Sequence, residues 1–286
     1  MIHISKMDRF LIVDGSNLLF QMFYGMPARI VNKDGRAMQG TLGFVGALLK
    51  IIRQIKPSHV VVLFDGEHHN ERKDIDENYK ANRPDFSQMP EEETPFSQLA
   101  DIYAALDYLS IKHTETTVCE TDDIVAAYVF RYKEAGEIVV SSFDSDFFQL
   151  IDENVQVLRY RGENSCLCDK AYLQEKFGIE PCQYADFKAL TGDNADNIKG
   201  ARKIGPKTAS ALMNEFRCLD NLLENVEKIS KKCVRESVIE AKERLRKNQR
   251  LITLKGCMEV PFSIEELSFS YSGVTTNEVL TAIGVK

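Results

Sequence analysis

The chain has 286 residues, enough for one large domain and a smaller one, and its 44% hydrophobic and 28% charged content is ordinary for a globular protein. Seven scattered cysteines, with Cys166 and Cys168 the only close pair, supply neither a disulfide framework nor zinc-ligand spacing. No apolar run approaches the ~20 residues that span a bilayer, and the start, MIHISKMDRF, lacks a signal-peptide core, which predicts a cytoplasmic protein. A net charge of −7 argues against a nucleic-acid partner when averaged over the chain, but nine Lys or Arg face three Glu between 228 and 250. Such a stretch is either a solvated helix face or a phosphate-tracking surface.

An apolar run at 10–13 predicts a first strand, a helix opens at Ser16, and apolar spacing predicts a second helix over 41–55. A second strand at 59–64 runs into Asp65. Residues 67–94 are polar and charge-dense, include Pro84 and Pro90, and show little periodicity. So long a connection in a compact domain is functional or disordered. A helix near 95–109 leads to an extended segment at 111–113. Thr121 has the chemistry of an N-cap for a helix over 122–135 that Gly136 ends. Strands follow at 137–143 and 155–159. The alternation predicts an α/β fold with a mostly parallel central sheet between helices. From about 169 the pattern turns helical with loops. The chain thus divides into an α/β part over 8–168, a helical part over 169–252 and a tail over 253–286, with a short helix at 275–283.

Nine carboxylates fall where these elements hand over. They are Asp14 in FLIVDGSN, Asp65 in VVVLFDG, Glu120, Asp122 and Asp123 in CETDD, Asp144 and Asp146 in SSFDSDF, and Asp193 and Asp196 in TGDNADN. The carboxyl ends of parallel strands share one sheet edge, the usual place for a binding crevice. Acids converging there repel by ~1 kcal/mol per close pair in water and ~4 kcal/mol near a protein surface. A fold tolerates that only with a cation among them, and all-oxygen ligands predict a hard divalent ion, Mg²⁺. Asp144 and Asp146 are two apart, so at a strand end they point to one side. Glu120 and Asp123 are three apart, as are Asp193 and Asp196, which on a helical turn brings both to one face. Two cations about 3.5–4 Å apart on such ligands would stabilise the attacking and leaving oxygens of phosphodiester hydrolysis. Singly, each cluster is weak. An Asp after a strand is more often a cap or turn residue, and DSD after a strand also suits a phosphotransferase that forms an aspartyl phosphate. That rival leaves Asp14, Asp65 and CETDD without a use.

The stretch ERKDIDENYKANRP places Arg72, Tyr79, Lys80 and Arg83 just past Asp65. Arg and Lys on a mobile segment can clamp a phosphate and neutralise transition-state charge, and an aromatic ring can stack an unpaired base. In GARKIGPKTA, Gly205 and Pro206 allow a sharp turn into a helix whose free N–H groups face outward, with Lys203 and Lys207 beside it. This is a phosphate-binding device of the helix–hairpin–helix type that needs no base contact.

In this order VDG, FD, YKANRP, E-x-DD, D-x-D, ALTGDNADN and IGPKTA resemble the 5′-nuclease superfamily. The match is strongest to the 5′→3′ exonuclease domain of bacterial DNA polymerase I and its free-standing relatives, from about residue 9 to 250. The resemblance implies a PIN-like sheet between helices, an arch or clamp at about 67–95 over the active site, and a helix–three-turn–helix region with its helix–hairpin–helix element at 198–216. It implies that Asp14, Asp65, Glu120, Asp122, Asp144 and Asp146 bind metal, with Asp123, Asp193 and Asp196 completing the set around two or more Mg²⁺, for which Mn²⁺ substitutes. Lys80 and Arg83, with Arg72, resemble the arch-base cations that meet the scissile phosphate, and Tyr79 joins them on DNA. Lys203, Gly205, Lys207 and Thr208 correspond to the element that holds the downstream duplex, where family members also bind K⁺.

The implied function is a metal-dependent 5′→3′ exonuclease and 5′-flap endonuclease acting on nicked, gapped or flapped DNA, RNA–DNA hybrids included, in primer and flap removal. Recognition would be by shape and backbone. Too short to carry a polymerase as well, the chain is expected to be a separate monomeric enzyme, linked in function to a polymerase and a ligase and without a membrane partner. Three departures stand out: Cys119 where a glycine commonly precedes E-x-DD, Ser145 where relatives often carry a basic residue, and Lys199 and Lys203 in place of the Pro and Gly of P-G-V-x-G-I-G. Ser145 and Lys203 support an alternative, a junction-binding paralogue that keeps the fold and hydrolyses weakly or not at all.

Overall fold

The computed structural model describes residues 9–26, 28–32, 35–67 and 71–286. Strands β1 (Arg9–Asp14), β2 (His59–Asp65), β3 (Lys112–Thr116), β4 (Glu137–Ser141) and β5 (Val155–Arg159) pair in parallel, and β6 (Cys166–Cys168) closes one edge antiparallel. β1 and β2 are continuous apolar runs because the sheet is covered on both faces. Alternate side chains divide accordingly. Phe10, Ile12, Val61 and Leu63 enter one core, and Leu11, Val13, Val62 and Phe64 enter the other. Helices α1 (Gly15–Gly25), α2 (Gln39–Ile55) and, beyond the short α3 (Glu71–Ile75), α4 (Leu99–Tyr108) pack on the second set. The first set meets α5 (Thr121–Tyr132) and a core shared with α6 (Lys170–Phe177), α7 (Tyr184–Thr191), α8 (Pro206–Phe216), α9 (Leu219–Glu224) and α10 (Lys232–Ile252).

The strand order is β3-β2-β1-β4-β5-β6. The chain therefore builds outward from β1 to one side and then resumes on the other at β4. That reversal places a crevice at the carboxyl ends of β1 and β4.

Several boundaries differ from the sequence expectations. Thr121 is not the cap of α5. Its hydroxyl lies 2.8 Å from the Thr116 hydroxyl, and Glu120 takes the N-cap position without a side-chain cap bond. α5 ends at Tyr132, short of Gly136, and β4 ends at Ser141. The predicted helix near 95–109 begins as a 3₁₀ turn, Pro95–Gln98, before α4. Nothing in the sequence predicts β6, because three residues carry no periodicity. The polar stretch contains α3 and 3₁₀ turns at Phe86–Gln88 and Glu91–Glu93, with no long arch helix among the described residues. The expected tail is packed onto the body. Phe269 N donates to Ser58 O at 2.8 Å, and α11 (Thr276–Ala282), opened by a Thr275–Glu278 capping box, sets Val279 in a core with Leu49 and Ala105. All seven cysteines are free thiols. Among the described residues no helix is long and apolar enough to cross a membrane.

Candidate active site

Asp14 ends β1, Asp65 ends β2, Asp144 and Asp146 follow β4, and Glu120, Asp122 and Asp123 open α5. The topology thus brings these groups to one edge. Buried Asp14 also caps α1, accepting from Asn17 N at 2.9 Å, and the Ser142 hydroxyl donates to it at 2.8 Å. Asp144 N donates to Ser142 Oγ at 3.0 Å, Asp146 N to Asp144 Oδ1 at 2.8 Å, and Phe143 N to Asn17 Oδ1 at 3.0 Å. These bonds stitch β1 to the segment after β4 across the reversal, so Asp14 and Asp144 are held as neighbours. Burial, then the charges of Asp65 and Asp144, push the Asp14 carboxyl up to about 7. Asp122 is raised well above the carboxylate range by burial, then by Asp144, Asp65 and Asp14, with Lys80 opposing. Four carboxylates share a field in which positive charge is short.

A second group forms around the hairpin of β7 (Gly192–Asp193) and β8 (Ile198–Lys199). Asp146, Asp193 and Asp196 each offer an oxygen within 4.8 Å of the others. Two glycines make the hairpin possible. Gly192 has φ +83°, and a Cβ on it would fall 2.5 Å from Gly200 N, while one on Gly200 would fall 2.3 Å from the Thr191 carbonyl carbon. Asp146, expected with the first set, is therefore nearest to the pair expected to play a supporting part.

Lys188 of α7, which sequence reasoning missed, is buried against this group and pairs with both Asp146 and Asp193. Burial opposes its charge, but Asp146, Asp144 and Asp193 outweigh it and raise its pKa. Burial pushes the Asp146 carboxyl up to about 7 against the pull of Lys188. At Asp193 burial pushes up and Lys188 wins, so that carboxyl lies below its usual range. The signal was a lysine in the otherwise apolar run FKAL, one residue before ALTGDNADN.

The cations past Asp65 fold back onto the acids. Arg72, only 4% exposed, donates through Nη1 to Glu120 at 2.8 Å, through Nη1 and Nη2 to Asp123 at 2.9 Å each, and through Nε to Leu251 O at 2.8 Å. Asp123 also accepts from Lys255 N at 2.8 Å. Arg72 is thereby tied to α5 and α10, the geometry of a strut, and Asp123 is drawn into an ion pair with it. Tyr79 is 3% exposed, its hydroxyl donating to Glu120 at 3.3 Å and Asp196 at 3.4 Å. Buried so far, the ring is not offered at the surface to an unpaired base. Its polar neighbours in sequence concealed that this turn closes on the acids.

Lys80 adopts φ +57°, held there by Lys80 N donating to Asp196 O at 3.0 Å and Nζ to Glu120 Oε1 at 2.8 Å. Arg83 donates to Asp196 at 2.9 Å from a side chain 51% exposed. At the expected helix–hairpin–helix element Gly205 is the cap residue of α8 and Pro206 its first residue. Lys203, Gly205 and Lys207 are exposed and Thr208 is half-buried. Asp14, Asp65, Asp122 and Asp144 offer oxygen donors coupled through their charges, but among the described residues only Asp146, Asp193 and Asp196 bring carboxylate oxygens within 4.8 Å of one another, a donor set that suits a hard divalent cation. At Asp146 and Asp193 the Lys188 ammonium already stands among the oxygens.

Residues 9–178 match the family model for the 5′-3′ exonuclease, N-terminal resolvase-like domain, and residues 179–274 match that for the 5′-3′ exonuclease, C-terminal SAM fold. A 5′-3′ exonuclease of Buchnera aphidicola is 32% identical over 228 residues, covering 78% of this chain and 76% of that protein. DNA polymerase I of Rhizobium leguminosarum is 32% identical over 268 residues, 91% of this chain, which spans only 26% of the polymerase's length. The bacteriophage T5 flap endonuclease, solved as a pseudo-enzyme–product complex with DNA and metal ions, shares the fold with a TM-score of 0.69 at 20% identity, covering 85% of this chain and 88% of that one.

Proposed function

The chain belongs to the 5′-3′ exonuclease family, and on that premise we propose that it is a divalent-metal-dependent 5′→3′ exonuclease and 5′-flap endonuclease of DNA. The observation that carries this reading is the convergence of carboxylates at the β1–β4 reversal and the β7–β8 hairpin, where Asp146, Asp193 and Asp196 bring oxygens within 4.8 Å of one another. Asp14, Asp65, Asp122 and Asp144 would hold one Mg²⁺, and Asp146, Asp193 and Asp196 would hold or orient a second. Mn²⁺ suits the same oxygen ligands. A bound divalent cation supplies charge that stabilises the attacking and leaving oxygens of a phosphodiester.

The chain's own residues do the remainder. Ser142 and Asn17 fix Asp14, and Arg72 and Tyr79 fix Glu120 from behind. Lys80 and Arg83 lie at the rim, bound to Glu120 and Asp196, and each would exchange its carboxylate for an incoming phosphate. Exposed Lys203 and Lys207, beside the N-terminus of α8, would take duplex phosphates without reading bases. Mg²⁺ as the working ion and K⁺ at the turn before α8 belong to the same proposal. So do primer and flap removal by a monomer alongside a polymerase and a ligase. DNA as the substrate is supported by the T5 relative's complex with DNA and metal ions.

Asp65 offers the cleanest test, because it is exposed and its carboxylate accepts no hydrogen bond among the described residues. Asp65→Ala should keep the fold and slow cleavage of an end-labelled 5′-flap duplex in Mg²⁺ by about a hundredfold or more, the equivalent of about 3 kcal/mol of barrier. Equal cleavage by both proteins overturns the proposal. Salt-sensitive flap binding by the wild type with no product would support the junction-binding paralogue instead.

A further inference from the structure

Behind the turn at 76–83 lies a 230 Å³ cavity walled by that turn, the β7–β8 hairpin and α10. Lys199 of β8 and Arg244 and Lys247 of α10 reach it, facing one carboxylate, Asp76. Asp76 is already paired with Lys247 at 2.7 Å. That bond, acting against burial, holds the Asp76 carboxyl below its usual range. Lys199 and Arg244 are exposed and have no ion-pair partner among the described residues. Arg244 and Lys247 are three apart on one helix and so share a face.

The floor of the cavity is rigid. Asn248 is buried there, its amide nitrogen donating to Ala189 O at 3.0 Å and Lys199 O at 2.9 Å. At ~30 Å³ per water in liquid, the space suits a hydrated oxyanion. The Tyr79 ring is the partition, since its hydroxyl faces Glu120 and Asp196 on the other side. Surplus cations in a preformed concavity select a compact anion over a base or an apolar ligand.

We propose that this cavity is a phosphate site separate from the metal-binding acids, in which Arg244, Lys199 and Lys247 hold one tetrahedral phosphate. The phosphate is either a backbone group of bound DNA, which rests on the nuclease reading, or free inorganic phosphate, which does not. Either would share Lys247 with Asp76 and so couple occupancy to the turn that carries Lys80 and Arg83.

The test uses the full chain and the double variant Lys199→Gln/Arg244→Gln, with a control of equal charge loss on exposed α10 positions outside the cavity, Lys232→Gln/Arg246→Gln. Folding is checked by circular dichroism. In the first arm, anisotropy of a labelled 5′-flap duplex is followed against NaCl in EDTA, so that nothing is cut. A backbone phosphate in the cavity predicts a log Kd against log salt slope shallower by about 1 in the cavity variant. In the second arm, thermal unfolding is followed in sodium phosphate and in sodium chloride at matched ionic strength. Free phosphate as the occupant predicts a phosphate-specific rise in Tm for the wild type that the cavity variant loses.

A cavity variant that keeps both wild-type readouts, or a control pair that loses either one equally, overturns the proposal. A wild type that binds no flap DNA would count against the nuclease reading, and the phosphate arm would still decide the cavity.

Discussion

Lys188 is a buried ammonium that lies against Asp146 and Asp193, and its burial is tolerable only because both carboxylates accompany it. Lys188→Met would keep most of the volume and remove the charge. With the acids left uncompensated, the metal-free protein should lose about 3–5 kcal/mol of stability, the usual cost of breaking one side of a buried pair. The variant's oxygens would then lack a resident cation, so Mg²⁺ should raise its Tm by more than it raises the wild type's. Thermal unfolding in EDTA and in Mg²⁺ measures both quantities. An equal gain from Mg²⁺ in the two proteins would show that Lys188 does not share the place of the ion. Single residues of this kind were partly legible. The acids could be read from their positions after apolar runs, whereas the partner that neutralises Asp193 lies on another element and leaves almost no local trace.

The strands that carry the acids were legible because burial on both faces turns β1, β2 and β4 into continuous apolar runs. The turn at 76–83 and α3 were not, since a polar sequence says nothing about what it packs against. Arg72 shows the difference. Its charge and its place after Asp65 suggested a phosphate clamp, yet it ties α3 to the start of α5 and to the end of α10. The two roles make opposite predictions. As a strut, Arg72→Met should destabilise the protein by about 3–5 kcal/mol, leaving Glu120 and Asp123 buried without their guanidinium. Arg72→Lys should recover only part, because an ammonium cannot reproduce the forked contact with Asp123. As a clamp, Arg72→Met would leave the urea midpoint unchanged and reduce cleavage alone. Urea unfolding beside flap cleavage separates the two.

Contacts that span the chain were the least visible in the sequence. The segment past 252 carries no motif, yet Lys255 pairs with Glu71, and the backbone after Leu267 joins Ser58 and His59 at the foot of β2. The balance of charge across the molecule is likewise a property of the assembled fold. Asp14 and Asp146 are pushed up to about 7 from 3.8, so the folded state binds their protons more tightly than the unfolded state does. A raised carboxyl pKa means that stability is greatest while the group is protonated and falls as pH rises from about 4 through about 7. In EDTA the Tm should therefore decline between pH 5 and pH 8, with an upper figure on the order of 5 kcal/mol for the two groups together, since each pH unit crossed below the folded value is worth about 1.4 kcal/mol per group. Asp193, held below its usual range by Lys188 against burial, has the opposite sign, but its contribution is lost only as pH falls below about 4. Mg²⁺ competes with those same protons, so its stabilising effect should be small at pH 5 and large at pH 8. Differential scanning at the two pH values, with and without Mg²⁺, reads all four states. A metal-free protein more stable at pH 8 than at pH 5 would mean that the acids at the β1–β4 reversal are not short of positive charge, and would count against a cation among them.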